Sequence, residues 1–322
     1  MFVSVLLFAV GLVLLIYGGD WFVDGATGIA RRFRLPDIVV GATVVSIGTT
    51  LPEVMVSTTG ALQGSGAMAY GNAIGSIICN TALIAAISIV CNPGPVNVNS
   101  MKTPAIFFFA SAALYCLASY VLGEFPRWMG FVMLAIFAVY MFLTVRNGLR
   151  NPDEVHEETE AKERLLWQEL LLLVGGAAVI AIGADLLVEH GQKIALGLGV
   201  PETVVALLFV ALGTSLPELV TTITSLRNGH ASLGVGNVIG ANVFNLVLVS
   251  GVAVSLAPFE VPCENFLLNT GLNMSLVFEI PVMLLVMGLM VFPALASKEL
   301  KRWQGLVLLG IYAAFVVCQF VL

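Results

Sequence analysis

Two short stretches of the chain place a glutamate directly after a proline within otherwise apolar sequence. Glu53 follows Pro52 in the stretch GTTLPE, and Glu218 follows Pro217 in the stretch GTSLPE. A proline removes a backbone N–H donor and frees carbonyl oxygens in the preceding turn. An ionisable side chain in hydrocarbon is costly and usually functional. The residue types therefore indicate a buried site in which two carboxylates and backbone carbonyls hold a bare cation.

Neutral oxygen atoms accompany both glutamates. Hydroxyl groups lie within one helical turn before each carboxylate, and an asparagine ends each of the motifs GNAIGSIICN (71–80) and GNVIGANVFN (236–245). The residues that carry these potential ligand oxygens are Thr49, Thr50, Asn80, Thr214, Ser215 and Asn245. The three histidines lie in or near predicted loops, and no cysteine accompanies the acids. The donor set therefore excludes a soft-metal site and suits a hard cation such as Ca²⁺ or Na⁺.

The charge of this donor set fits ion exchange. Two carboxylates neutralise one Ca²⁺, two Na⁺ or two protons. Two ionised acids in an empty buried site are costly. The conformational change that exposes the site to the other side is therefore more favourable with ions bound than with the site empty. We therefore predict an antiporter with Glu53 and Glu218 as its central ligands. The alternative is that both acids are structural, protonated, and bonded to backbone that the prolines open.

The composition places these motifs in a membrane. Hydrophobic residues make up 59% of the 322-residue chain, charged residues make up 11%, and the mean hydropathy is +1.00. A soluble domain carries about 25% charged residues. Apolar runs of about 20 residues predict ten transmembrane helices in an all-α polytopic protein. The spans are predicted near 3–23, 38–62, 68–91, 103–122, 127–148, 167–188, 201–226, 231–257, 275–295 and 303–322.

The two glutamate motifs belong to an internal repeat with a constant offset of 165 residues, the spacing between Glu53 and Glu218. Each half contains five spans, and because five is odd the second half must cross the membrane in the opposite sense. Inverted repeats of this kind are typical of secondary transporters, in which matching discontinuous helices form the site. We predict two inverted five-helix repeats, 1–149 and 167–322, joined by a linker at 150–166. Helices 2, 3, 7 and 8 are predicted to be discontinuous; an old duplication without functional meaning is the alternative.

Positive charges are distributed unevenly between the predicted loops. Of the 14 Lys and Arg residues, all but Arg127 and Lys193 fall in or beside loops that follow odd-numbered spans. The positive-inside rule then predicts that both termini lie outside and that the central linker lies in the cytoplasm.

The motifs resemble those of the cation/calcium exchanger superfamily, in particular its prokaryotic sodium/calcium exchanger branch. The resemblance is carried by GTTLPE with GNAIGSIICN and by GTSLPE with GNVIGANVFN, and it extends over the ten-span layout. This resemblance implies exchange of one Ca²⁺ for several Na⁺ by alternating access across a prokaryotic cytoplasmic membrane. The implied ligands are Glu53 and Glu218 for both ions, Thr49 and Thr214 for Ca²⁺, the hydroxyls of Thr50, Ser76 and Ser215 for Na⁺, main-chain carbonyls at Ser46 and Ala211, and Asn80 at the centre.

Two positions depart from the pattern of the sodium/calcium exchangers. Asn245 stands where an aspartate is common, and Ala241 stands where a serine is common. Asn245 cannot ionise, and Ala241 offers no hydroxyl to a Na⁺ ion. These departures leave the coupling ion open, so the alternative prediction is a Ca²⁺/H⁺ antiporter in which the same two glutamates take up protons.

Other classes of function fit the sequence less well. A cation channel would use the same acids as a filter, but it needs no inverted duplication. No HExxH, GxSxG or nucleotide-binding loop is present, so we predict neither an enzyme nor a cofactor. The predicted partners are the ions and the lipid bilayer, with no nucleic acid, and the oligomeric state is not predicted. Asp20, Asp24, Asp185 and Glu189 lie towards the ends of spans one and six, where we expect helix caps or snorkelling.

Overall fold

A computed structural model describes residues 2–150, 164–198, 213–262 and 273–321 of the chain. Its helical segments are α1 (Phe2–Phe33), α2 (Asp37–Val40, a π turn at Gly41–Val45, and Ser46–Leu62), α3 (Gly66–Cys79, a π turn at Asn80–Ala85, and Ala86–Cys91), α4 (Val98–Cys116 and a π turn at Leu117–Leu122), α5 (Arg127–Arg150), α6 (Leu166–Gly197), α7 (Leu216–Arg227), α8 (Ala231–Phe244, a π turn at Asn245–Val249, and Ser250–Leu256), α9 (a π turn at Ser275–Glu279 and Ile280–Ser297) and α10 (Arg302–Val321).

The prediction of an all-α polytopic fold is confirmed. Within the described residues, nine of the ten segments are long and apolar enough to cross a membrane, the exception being α7. The seventh predicted span, near 201–226, lies partly outside the described residues. The domain division stays a prediction, because residues 151–163 of the linker also lie outside them.

The interruptions in α2, α3 and α8 take the form of π turns. Those of α3 and α8 begin at Asn80 and Asn245, which occupy equivalent positions in the two halves. A π turn replaces the regular i→i−4 bonding locally and is frequent at functional sites. In α2 the π turn precedes Pro52, which lies inside the continuous segment Ser46–Leu62. The helix therefore runs through this proline, although the sequence suggested a break there.

Four short strands fix which helix ends share a face of the molecule. Strand β1 (Gly94–Pro95) pairs antiparallel with β4 (Glu299–Leu300), and β2 (Glu124–Phe125) pairs with β3 (Phe259–Glu260). The first pair joins the connections after α3 and α9, and the second joins those after α4 and α8. Odd-numbered connections thus meet on one face and even-numbered connections on the other, as alternating transmembrane helices require.

Helices α1 and α6 form an antiparallel pair in which glycines allow close backbone approach. A Cβ added to Gly11 would lie 2.9 Å from the carbonyl oxygen of Gly183, and one added to Gly18 would lie 3.2 Å from that of Gly176. Gly11 and Gly176 are equivalent positions of the repeat, as are Gly18 and Gly183. The pair therefore crosses symmetrically, one helix from each half.

Candidate cation-binding site

Glu53 on α2 and Glu218 on α7 both lie in the interior, with no exposed side-chain area. Helix α7 packs against α2 and against the π turn of α3. The two carboxylates are close enough to repel each other electrostatically. The structure thus brings together the two acids that lie 165 residues apart in the sequence.

The carboxylates are surrounded by buried polar groups that have no hydrogen-bond partner. All four carboxylate oxygens of Glu53 and Glu218 are unpartnered. The other unpartnered groups at the site are the hydroxyls of Thr50 and Ser215 and the amides of Asn80 and Asn245, whose residues are each at most 1% exposed. A buried polar atom left without a partner costs about 1–3 kcal/mol, so a cluster of them needs an explanation. Carboxylate, hydroxyl and amide oxygens are the ligands that hard cations take in proteins.

The site is built across the two halves. The hydroxyls of Thr49 and Thr50, from the first half, lie beside the Glu218 carboxylate of the second half without hydrogen-bonding to it. Ser215 lies beside Cys79, one residue before Asn80. Each motif therefore places hydroxyls next to side chains of the other half of the protein. The constant offset of the repeat does not reveal this arrangement.

Glycines hold α2 tightly against α8 next to the site. A Cβ added to Gly41 would lie 2.2 Å from the carbonyl oxygen of Leu233, and one added to Gly236 would lie 2.2 Å from that of Ile38. A Cβ on Gly240 would lie 2.4 Å from the Ser46 hydroxyl. Any side chain at these glycines would have to move backbone, so the crossing depends on them.

Two asparagines that the sequence analysis did not select connect the site helices. The side-chain oxygen of Asn237 accepts a hydrogen bond from Thr49 at 3.2 Å and lies 3.2 Å from the Ser46 hydroxyl, and its amide nitrogen donates to Thr221 at 3.0 Å. Its equivalent in the first half, Asn72, donates to the Glu53 carbonyl at 3.2 Å and also to Ser57. Both asparagines are repeated in the two GN motifs, and this repetition was the signal that could have identified them.

The hydroxyl of Ser46 is used within the protein. It donates to the carbonyl of Gly41 at 2.8 Å, across the π turn of α2, and lies 2.9 Å from the carbonyl of Asn237. Ser250 closes the π turn of α8 in the same way, by donating to the carbonyl of Asn245 at 2.9 Å. Each of these carbonyls also accepts the backbone N–H of the same serine, so the hydroxyl adds a second hydrogen bond that reinforces the π turn.

The remaining predicted ligands differ in how far the structure describes them. Ser76 is buried, one helical turn before Asn80. Thr214 is half-buried in the turn that precedes α7. Ala211 lies outside the described residues.

Comparison with known proteins agrees with this architecture. The family model described as sodium/calcium exchanger protein matches residues 3–146 and 169–321. The protein belongs to this family. Relatives include the uncharacterized membrane protein MJ0091 of Methanocaldococcus jannaschii, 33% identical over 95% of this chain and 94% of its own length, and the sodium/calcium exchanger MaX1 of Methanosarcina acetivorans, 30% identical over 99% of both chains.

Solved structures of the sodium-calcium exchanger NCX_Mj have the same fold. One, soaked with Na⁺ and Sr²⁺, superimposes with a TM-score of 0.81 and is 31% identical, with 98% of each chain covered. Another, soaked without Na⁺ and Ca²⁺, gives a TM-score of 0.78 at 30% identity. The inverted-repeat architecture of the exchanger family therefore applies to this chain.

Three acids outside the central site lie within α1 and α6, not at the ends of these helices, and form ion pairs. Asp20 forms an ion pair with Arg227, Asp24 pairs with Arg164 at 3.2 Å, and Glu189 pairs with Lys193 at 2.5 Å. In the described part of the chain, no group of three or more His, Cys, Asp and Glu side chains is placed to hold a metal. The central site is instead a pair of acids completed by neutral oxygens.

Proposed function

We infer that the protein is an antiporter that exchanges Ca²⁺ for Na⁺ by alternating access. Membership of the sodium/calcium exchanger family supports this function. The observation that carries it is the buried pair of Glu53 and Glu218, one from each half, among unpartnered oxygens. Because the relatives include a protein named as a sodium/calcium exchanger, Na⁺ is favoured over H⁺ as the coupling ion.

In this proposal the two carboxylates are the shared ligands of both ions. Together they neutralise one Ca²⁺, which takes six to eight oxygen ligands in proteins, and Thr49 and Thr214 complete that set. The hydroxyls of Thr50, Ser76 and Ser215, the amides of Asn80 and Asn245, and carbonyls at Ser46 and Ala211 serve the Na⁺-loaded state. An empty site holds two unbalanced carboxylates in a desolvated interior, which opposes crossing without a load.

We propose that the protein lies in the cytoplasmic membrane with both termini outside. In this orientation α2 begins on the cytoplasmic face at Asp37, which pairs with His230 at 2.7 Å. Arg32 and Glu169, at 3.3 Å, lie on the same face. The distribution of Lys and Arg supports this orientation.

Purified protein in liposomes tests the function. We expect that an outwardly directed Na⁺ gradient drives uptake of radioactive Ca²⁺ and that a pH gradient alone does not. Uptake driven by the pH gradient but not by Na⁺ would support the Ca²⁺/H⁺ alternative. Ca²⁺ flux that needs no counter-ion would indicate a channel and contradict exchange.

A further inference from the structure

A second group of buried polar side chains lies away from the central site, near the face where the even-numbered connections meet. We call it the tyrosine cluster, and its members are Tyr70 of α3, Tyr115 and Ser119 of α4, and Ser275 and Glu279 of α9. The hydroxyls of Tyr70, Tyr115 and Ser119 have no hydrogen-bond partner among the described residues, although these residues are at most 3% exposed. The proposed exchange uses none of the five residues.

The hydroxyls of the tyrosine cluster lie close together without bonding to one another. The Tyr70 hydroxyl lies beside the hydroxyls of Ser119 and Ser275, and the Tyr115 hydroxyl lies beside that of Ser250 on α8. The rings of Tyr70 and Tyr115 have centroids 5.7 Å apart. Buried hydroxyls normally bond to protein or to an ordered water or ion. Neighbouring hydroxyls that are too far apart to bond are arranged as they would be around a shared partner.

Two π turns meet at the tyrosine cluster. Ser119 lies within the π turn of α4, and Ser275 and Glu279 are the first and last residues of the π turn of α9. The two turns are in contact, because the Tyr120 hydroxyl of α4 donates to the Leu276 carbonyl of α9. π turns are frequent at functional sites, and these two lie on helices that contribute no predicted ligand to the central site.

One acid supplies the charge of the tyrosine cluster. Glu279 is half-buried and acts electrostatically on the hydroxyls of Tyr70 and Tyr115. Its carboxylate accepts a hydrogen bond from Gln319 of α10 at 3.3 Å, and among the described residues it forms no ion pair. A cation bound here would have one counter-charge, which balances a monovalent ion and leaves a divalent ion with an uncompensated charge.

Aromatic side chains cover the tyrosine cluster towards β2. The ring centroid of Phe125 lies 4.6 Å from that of Tyr115 and 6.1 Å from that of Tyr70, and Phe125 is itself fully buried. Glu279 is not fully buried and lies at the start of α9. Its carboxylate is therefore the polar group through which an ion from this face would reach the hydroxyls.

We propose that the tyrosine cluster binds one monovalent alkali cation, Na⁺ or K⁺, at a site separate from the central one. Glu279 supplies the counter-charge, and the hydroxyls of Tyr70, Ser119 and Ser275 supply neutral oxygens. Oxygen atoms of these kinds are the ligands of hard cations. Because the ligands come from α3, α4 and α9, the bound cation connects these three helices and stabilises the folded protein.

Thermal unfolding in detergent tests this site in a protein whose central acids are removed. In the double variant Glu53→Gln/Glu218→Gln, NaCl or KCl should raise the thermal midpoint by about 2–4 °C relative to N-methyl-D-glucamine chloride at equal ionic strength. A shift with only one of the two salts identifies the ion that binds. Wild-type protein saturated with Ca²⁺, which occupies the central site, gives a second measurement and should show the same shift. Equal midpoints in all three salts would show that the cluster holds water only and would overturn the proposal.

Tyr70→Phe, in the same background, removes one hydroxyl of the cluster and keeps the ring. Because this hydroxyl has no partner when the cation is absent, the variant should be at least as stable as its parent in N-methyl-D-glucamine chloride. It should also lose the gain in stability that NaCl or KCl gives. Tyr140→Phe is the matched control, since it removes a buried hydroxyl that donates to the Ala42 carbonyl at 2.9 Å; its midpoint should fall by the same amount in all three salts. A gain that survives in Tyr70→Phe would contradict the assignment of the ligand.

Glu279→Gln, again in the same background, tests the counter-charge. A neutral amide cannot balance a buried cation, so the gain in thermal midpoint from NaCl or KCl should be lost. Glu260→Gln, which changes an exposed acid of β3 on the same face, is the control and should keep the gain. A gain that persists in Glu279→Gln would show that the cation binds elsewhere and would overturn the proposal.

Discussion

The two glutamate motifs are nearly identical in sequence but have different backbones. In the first half Pro52 lies within the helix Ser46–Leu62, and a π turn precedes it at Gly41–Val45. In the second half Pro217 lies in the first turn of Leu216–Arg227, after a turn at Thr214 and Ser215. The motif thus determines that an acid enters the interior, and its surroundings determine the shape of the backbone that carries it.

The residues that precede the two motifs also differ in sequence. Ser46 closes the π turn of α2 through its hydroxyl, whereas the equivalent residue, Ala211, has no hydroxyl. The halves are therefore matched in their buried acids and unmatched in a hydroxyl group close to them in the sequence. Four predictions test this comparison.

The largest expected effect is the loss of either acid. Glu53→Gln and Glu218→Gln should each reduce Na⁺-driven Ca²⁺ uptake, because removing one member of a buried charged set costs about 3–5 kcal/mol and thus more than about 100-fold in rate. The measurement is initial uptake at equal amounts of inserted protein. Glu189→Gln, which changes an exposed ion-paired acid on α6, is the control. Normal flux in either site variant would contradict the assignment of the two acids.

The next effect concerns the α2–α8 crossing. Gly236→Ala should destabilise the protein by about 1–3 kcal/mol through overpacking, because its Cβ would lie 2.2 Å from the Ile38 carbonyl oxygen. We expect a lower thermal midpoint in detergent together with reduced transport. Gly310→Ala on α10 is the control, since a Cβ there meets no atom within 4 Å among the described residues. Equal midpoints for the two variants would show that the crossing is not close-packed.

A smaller effect is expected where a π turn loses its serine. Ser46→Ala and Ser250→Ala each remove a hydroxyl that donates to a π-turn carbonyl, at a cost of about 1 kcal/mol. Both should lower thermal stability by similar amounts. Ser46→Ala should also impair exchange more than Ser250→Ala, because Ser46 additionally contacts Asn237 beside Thr49. If Ser250→Ala impaired exchange more than Ser46→Ala, the contact between Ser46 and Asn237 would have no role in exchange.

The smallest effect is expected at the exposed ion pairs. Asp20→Asn removes the ion pair with Arg227, in which both side chains are partly exposed. An exposed ion pair contributes about 0–1 kcal/mol to stability. Exchange should change by no more than about fivefold. Loss of transport comparable to that of Glu53→Gln would place Asp20 among the ion-binding residues, in disagreement with its pairing.

Much of the architecture could be predicted from local properties of the sequence. Apolar runs marked nine of the spans that the described residues contain, because a helix in lipid must satisfy its backbone internally and be apolar outside. The offset between Glu53 and Glu218 indicated the inverted repeat, since equivalent residues of a duplication keep their spacing. The sequence also predicted four further site residues whose side chains are buried and, like the two glutamates, have polar atoms without a hydrogen-bond partner: Thr50, Asn80, Ser215 and Asn245.

Other features could not be predicted in this way. The helix runs through Pro52 because neighbouring helices stabilise its backbone in the interior, and composition does not report neighbours. The site roles of Asn72 and Asn237 depend on contacts with α2, including the bond from Thr49, 188 residues away.

The sequence by itself determined the membrane class, the two-fold repeat, and the two acids with hard oxygens around them, because these follow from residue types and their spacing. Only the tertiary structure decided that the first-half threonines lie beside Glu218, that the breaks are π turns, with serine hydroxyls bonded across those of α2 and α8, and that Asn237 joins α8 to α2. The physical reason is that the helices meet where glycines allow close backbone approach and where side chains from distant parts of the sequence pack together. Periodicity places a residue on a face of its own helix, but only packing determines which face of another helix it meets.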